Sequence, residues 1–261
     1  MAYISPILTL MIGAVKKTAS VLGRDFNELE HLQNSVHGDK GFARYSYDKV
    51  LKILREELAK IKPDVAIVAS AEDKLPALGT YFALCPIAGY ANFAHGYADF
   101  AVSVAFVEKN KVVYGVVYNP IFDEMYFAEK GCGAFKEGFR NHERLRVAAC
   151  KNIANALFLC SAEVKLCANV AAATPNLRVS GVPALDFARL AAGRVDAAAV
   201  TNVKPNEIAA GILLVKEAGG YVFEIGQTDV RSENLEKAVE SGNLFATNEA
   251  LRQKVAEIVA K

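Results

Sequence analysis

Three things are scarce in this chain: surplus charge of one sign, long uninterrupted apolar runs, and cysteines in pairs. Thirty basic residues face 29 acidic ones, a formal net charge of +1. A chain so balanced has no overall field with which to capture nucleic acid or an acidic membrane, so strong direct nucleic-acid binding is not expected. No apolar run approaches the ~20 residues needed to span a bilayer, so no membrane association is expected. In residues 1–17 the apolar part precedes the lysines, and no small-x-small cleavage site stands out, which argues against a secretory leader. The five cysteines, Cys85, Cys132, Cys150, Cys160 and Cys167, are odd in number and irregularly spaced, with no C-x-x-C pair. They read as reduced thiols, several of them in the core, and the expected location is cytoplasmic. Internal repeats and low-complexity tracts are absent.

What is present is a chain of 261 residues, 52% hydrophobic and 23% charged, enough for a substantial core and too apolar to be disordered. Residues 6–22 carry apolar side chains at helical spacing, with Lys16 and Lys17 on the other face. Residues 31–47 hold two glycines and little periodicity and read as a loop. Asp48 is the expected N-cap of a helix over 49–61, stopped by Pro63. Strands are expected at 65–69 and 81–85, then a meander over 101–108, 111–118 and 124–129 with a further small strand at 134–135. From about residue 150 the texture changes to strand–helix alternation. Strands are expected at 156–160, 195–200, 221–224 and 244–246, and helices at 183–192, 206–218 and 248–259. The expected division is 1–145, helices on an antiparallel sheet, and 146–261, an α/β unit.

The stretch 84–96, LCPIAGYANFAHG, puts a tight glycine-bearing turn at the end of a strand, a common setting for a small-molecule site. Cys85 and His95 are two soft ligands within it, but no third accompanies them.

Several words of the sequence converge on one family. They are Asn92-Phe93 with Phe100-Ala101-Val102-Ser103; Tyr118-Asn119-Pro120 with Gly131-Cys132-Gly133-Ala134; Arg178-Val179-Ser180-Gly181 with Ala191-Ala192-Gly193-Arg194-Val195-Asp196; and Glu217-Ala218-Gly219-Gly220. Over nearly its whole length the chain resembles the inositol monophosphatase family, and within it the bacterial SuhB-type branch. The resemblance implies a layered α-β-α-β-α fold of mixed α+β and α/β character, a homodimer, and Mg²⁺-dependent hydrolysis of phosphomonoesters. It also implies the ligands: carboxylates to gather the metals, and a hydroxyl with backbone amides to hold phosphate.

Placed on that pattern, the chemical positions are largely substituted. The family's D-P-x-D-G-T turn falls on Cys85-Pro86-Ile87-Ala88-Gly89-Tyr90. Its glutamate pair falls on Ser70-Ala71, with Glu72 one step beyond, and its W-D on Asn206-Glu207. The serine after R-x-x-G falls on Val182, and a substrate-contacting glutamate on Val200. The early threonine falls on Tyr45, with its aspartate kept as Asp48. The vestigial phosphate and substrate positions are therefore Gly89, Tyr90, Gly181, Val182 and Val200, and the weak metal candidates are Glu72, the Ile87 carbonyl and Glu207. The expectation is a catalytically degenerate member with no cofactor, acting through a protein partner in transcription or RNA-processing machinery. The alternative is an active Mg²⁺ phosphomonoesterase with a site rebuilt on Glu72 and Glu207.

Overall fold

The computed structural model describes residues 4–32, 40–70, 73–76 and 78–261. The first helices are α1 (Pro6–Lys16), α2 (Ala19–Leu32) and α3 (Lys40–Ile61). Strands β1 (Ala66–Val68), β2 (Tyr81–Ala88), β3 (Ala101–Glu108), β4 (Lys111–Asn119), β5 (Glu124–Glu129), β6 (Gly133–Lys136) and β7 (Glu143–Arg144) follow, with the short helix α4 (Tyr90–Ala94) between β2 and β3. They form one seven-stranded sheet in chain order, in which β1 and β2 run parallel and every other pair is antiparallel.

The second half contributes β8 (Phe158–Cys160), α5 (Val164–Ala173), β9 (Leu177–Arg178), α6 (Pro183–Ala191), β10 (Ala197–Val200), α7 (Pro205–Glu217), β11 (Tyr221–Glu224), α8 (Leu235–Ser241), β12 (Leu244–Thr247) and α9 (Arg252–Val259). Its sheet has the order β11-β12-β10-β8-β9, with β10, β8 and β9 parallel.

Side-chain alternation sorts these elements into layers. On β3, Val102, Val104 and Phe106 face a core shared with α1, α2 and α3, whereas Ala101, Ala105 and Val107 face α6 and α7. On β10, Ala198 and Val200 face α6 and α7 from the opposite side, and Ala197 and Ala199 face α5 and α9. The result is helix, sheet, helix, sheet, helix, with α6 and α7 as the filling between the two sheets. That is the layering the sequence led us to expect, and the middle layer, α6 and α7, comes from the second half of the chain and packs against the sheet of the first.

The helical start departs from expectation. The stretch 31–47 is not a loop throughout: residues 40–47 belong to α3, and 33–39 lie outside the described residues. Asp48 is therefore inside a helix, exposed and paired with Arg44 at i,i+4, and is not its N-cap. Gly41 and a run of polar residues hide the period, but Ala43, Val50, Leu54 and Leu58 form one buried stripe. Ser46 is buried on that helix and donates to Asp25 of α2 at 3.0 Å, a polar tie between the two helices. Helices α5 and α8 were not foreseen.

The segment Pro6–Leu29, across its turn at Lys17-Thr18, is long and apolar enough to cross a membrane by length and composition. It is not an uninterrupted apolar run, since Lys16, Lys17, Arg24, Asp25 and Glu28 fall within it. In the fold, Leu8, Met11, Val15, Leu22, Phe26 and Leu29 spend its apolar side on the core.

Helices α6 and α7 approach closely at Gly211, where an added Cβ would lie 2.8 Å from the Cβ of Phe187. Alanine there gains about 1 kcal/mol of helix propensity but overpacks a rigid contact at a cost of about 1–3 kcal/mol. Gly211→Ala is expected to lower the urea midpoint with an unchanged m-value; a higher midpoint would show that the layer has slack.

Candidate active-site cleft

The cleft of interest forms where β2, α4, the start of α6 and the start of α7 meet. Strand β2 carries a register shift between Cys85 and Ala88, with Pro86 inside it. A residue without an N–H is tolerated at such a bulge. The chain then turns on Gly89, in the left-handed region at φ 81°. A side chain there would be strained, and its Cβ would meet Val182 Cγ2 at 2.7 Å. Asn92 of α4 fixes the turn by donating to the carbonyls of Asp99 at 2.7 Å and Ser180 at 2.9 Å.

The residues at the family's chemical positions are core residues here. Cys85, Ala88, Val182 and Val200 are all buried and all belong to the apolar cluster between the sheets. Burial, reinforced by the negative charge of Glu207, pushes the Cys85 thiol up to about 12. Near neutral pH it is a neutral thiol packed in the core. Val182 closes over the Gly89 turn with its methyl groups, where the family pattern has a hydroxyl. Gly181, at φ 76°, leads into it and is exposed.

Among the described residues, the carboxylates near these positions are committed elsewhere. Glu207 sits in the first turn of α7 and accepts the Lys204 N–H at 3.1 Å, a capping interaction. Asp73 accepts the amides of Ala69 at 2.7 Å and Ser70 at 2.9 Å, and those bonds hold its carboxyl below the usual range. Ala71 and Glu72 lie outside the described residues. The Ile87 side chain is buried on the opposite face of the sheet from Cys85, so only its backbone carbonyl is on offer.

His95 is exposed at the end of α4, its Nδ1 against the Ala91 carbonyl, and joins no cluster with Cys85. Among the described residues no three His, Cys, Asp or Glu side chains are grouped to hold a metal. Mg²⁺ demands near-octahedral oxygen ligation. A neutral thiol, an alanine, two valines and a capping glutamate do not fit it.

On α3 the structure corrects the sequence assignment. Tyr45 is exposed, and Asp48 is exposed and paired with Arg44 at the rim. Tyr47 lines the cleft. Its ring meets Tyr90 edge-on at 6.2 Å between centroids, and the Arg44 guanidinium lies 5.1 Å above it. Burial raises the Tyr47 hydroxyl pKa, with smaller contributions from Cys85, Asp48 and Glu207 and an opposing one from Arg44. A helix begun at Lys40 would have exposed this, since Tyr47 follows Ala43 at i+4.

Asn206, in the tryptophan position of the family pattern, was also missed. Buried at the head of α7, it donates to the carbonyls of Ala69 at 3.1 Å and Leu84 at 3.0 Å. It thereby clasps the end of β1 and the middle of β2 to the middle layer.

Behind the turn, Arg189 of α6 forks onto both carboxylate oxygens of Asp99, and Ser180 donates to Asp186 at 2.6 Å. Asp186 is almost wholly buried, and desolvation lifts its carboxyl to about 7.

The comparisons with known proteins agree with this architecture. The model of the inositol monophosphatase family matches residues 4–261. The inositol-1-monophosphatase of Mesorhizobium japonicum is 32% identical, over 98% of this chain and 97% of its own. The Nus factor SuhB of Xylella fastidiosa is 27% identical, over 97% and 94%. The crystal structure of the extragenic suppressor protein SuhB from Bartonella henselae superposes with a TM-score of 0.84 at 31% identity, covering 99% of this chain and all of that one. The chain belongs to the inositol monophosphatase family. Within it, the named relatives are of two kinds, inositol-1-monophosphatases and SuhB proteins.

Two outcomes are expected from this geometry. Asn206→Ala leaves two buried carbonyls without their donor and is expected to cost roughly 1–3 kcal/mol in denaturant unfolding; an unchanged midpoint would show that the clasp is idle. Asp186 binds its proton more tightly folded than unfolded, so its contribution to stability is complete below about pH 4 and is lost as pH rises through about 7. Asp186→Asn should therefore gain stability relative to the parent at pH 8 and lose that advantage at pH 4; equal differences at both would contradict the assignment.

Proposed function

We propose that this protein has kept the inositol monophosphatase fold and lost its metal-dependent chemistry, and that it works as an interaction or regulatory protein. The observation that carries this reading is the merger of Cys85, Ala88, Val182 and Val200 into the core between the sheets. Metal-assisted phosphoryl transfer needs charge gathered around the reacting phosphate. Losing a single well-placed charge stabiliser typically costs ~10²–10³ in rate, and here several positions have become apolar together.

The scaffold of the same turn is intact: Gly89 still makes it and Asn92 still ties it. Loss confined to the chemical positions supports a fold retained for another purpose. The likeness to proteins named Nus factor SuhB supports a protein partner in transcription or RNA-processing machinery. In this reading the protein is a cytoplasmic homodimer whose two units, 1–145 and 146–261, meet in the middle helical layer.

A second reading is favoured by the relatives named inositol-1-monophosphatase. It makes the protein an Mg²⁺ phosphomonoesterase with a site rebuilt on Glu72, Glu207 and the Ile87 carbonyl.

Phosphate release from inositol 1-phosphate separates the two. The purified protein is expected to release none above a buffer control at millimolar Mg²⁺, with no Mg²⁺-dependent rise in Tm. Turnover at the level of an ordinary family phosphatase would refute the first reading and establish the second. A positive partner test is retention of purified bacterial RNA polymerase by the immobilised protein, against a family phosphatase as control.

A further inference from the structure

Away from the cleft, the second sheet brings two thiols together. Cys160 ends β8, and Cys167 lies on α5 one turn beyond its start. Their sulfurs are 3.5 Å apart. Both ends of the pair are held: Ser161 donates its N–H to Ala199 at 3.0 Å and accepts the Thr201 amide on its hydroxyl at 3.1 Å, while Cys167 Sγ lies 3.4 Å from the Ser161 carbonyl. The two sulfurs differ in access. Cys160 is buried beneath Leu166 and Val170, whereas Cys167 is partly exposed beside the solvent-facing Val164 and Lys165. Forming a disulfide means closing that contact to a bond of about 2.0 Å, and Cys167 sits on the exposed first turn of a surface helix.

We propose that Cys160 and Cys167 are an oxidisable dithiol that hydrogen peroxide, or another hydroperoxide, closes to a disulfide. Cys167, as thiolate, attacks a peroxide oxygen; the O–O bond breaks, and the departing hydroxide takes up a proton to leave as water. The sulfenic acid on Cys167 is then attacked by the Cys160 sulfur. The S–S bond forms, the S–O bond breaks, and the second oxygen leaves as water with the Cys160 proton. Two sulfurs are oxidised and one peroxide is reduced to two waters. Burial, with the neighbouring Cys167 sulfur, pushes the Cys160 thiol up to about 12, which keeps it from direct attack on peroxide and leaves the more accessible Cys167 to be oxidised first. A reversible bond of this kind is compatible with an otherwise reducing compartment. It would pin α5 to the end of the strand it packs on.

The test uses the full-length protein and hydrogen peroxide, quenched with an alkylating agent and mapped by trypsin without reduction. Cleavage after Lys165 puts the two cysteines in separate peptides, 152–165 and 166–178. The expected result is one cross-linked pair containing both, dissociated by dithiothreitol, with two of the five thiols lost to alkylation and Tm raised. Cys160→Ser should leave a sulfenic acid on Cys167 that dimedone captures. The proposal is overturned if peroxide leaves 152–165 and 166–178 separately alkylated, or if cross-links join either cysteine only to Cys132 or Cys150.

Discussion

Helix α7 is the constraint on which the rest of the molecule depends. It lies between two sheets, with nearly every side chain from Ile208 to Val215 buried, so it has no solvated face on which to place charge. Both of its ends are tied to the first sheet by polar contacts. At the head, Asn206 donates to the Ala69 and Leu84 carbonyls; at the tail, Glu217 accepts the amides of Gly131 and Gly133 at 2.8 and 2.9 Å. Burying a helix this completely works only if its terminal polar groups find partners: Glu207 accepts the Lys204 N–H at the head, and the Gly219 and Gly220 amides donate to the Lys216 and Val215 carbonyls at the tail.

The chemistry of the cleft follows from that placement. The head of α7 points at the bulged end of β2, which is where a hydrolase of this family would gather metal and phosphate. In this chain the same space is filled from below by Cys85, Ala88 and Val200 and from above by Val182, and Glu207 turns back to cap its own helix. Tyr47, Tyr90 and Arg44 then cover the mouth with aromatic and cationic surface. Cys85, Ala88, Val182 and Val200 are thus held by packing within one apolar cluster.

Much of this was legible in the residues. Strand alternation on β3 and β10, the Gly89 turn, the Asn206-Glu207 helix start and the substituted positions around Cys85 can all be read from spacing and from family words. What could not be read was register in polar helices. Residues 40–47 look like a loop because Gly41 and the charges around it break the apolar period, so the cleft was credited with Tyr45 and Asp48 and the ring of Tyr47 was missed. Asn206 was read as the loss of a tryptophan; only the fold shows the carbonyls it satisfies. The Cys160–Cys167 approach depends on how α5 returns over β8, which sequence spacing does not encode.

The central claim is that the cleft is core and not a cation cage. Manganese, which takes the same oxygen ligands as Mg²⁺ and scatters anomalously, tests it most directly. Crystals soaked in millimolar Mn²⁺ with phosphate are predicted to show no anomalous peak between Cys85, Ala88 and Glu207. A peak there, ligated by Glu207, the Ile87 carbonyl or Glu72, would contradict the account.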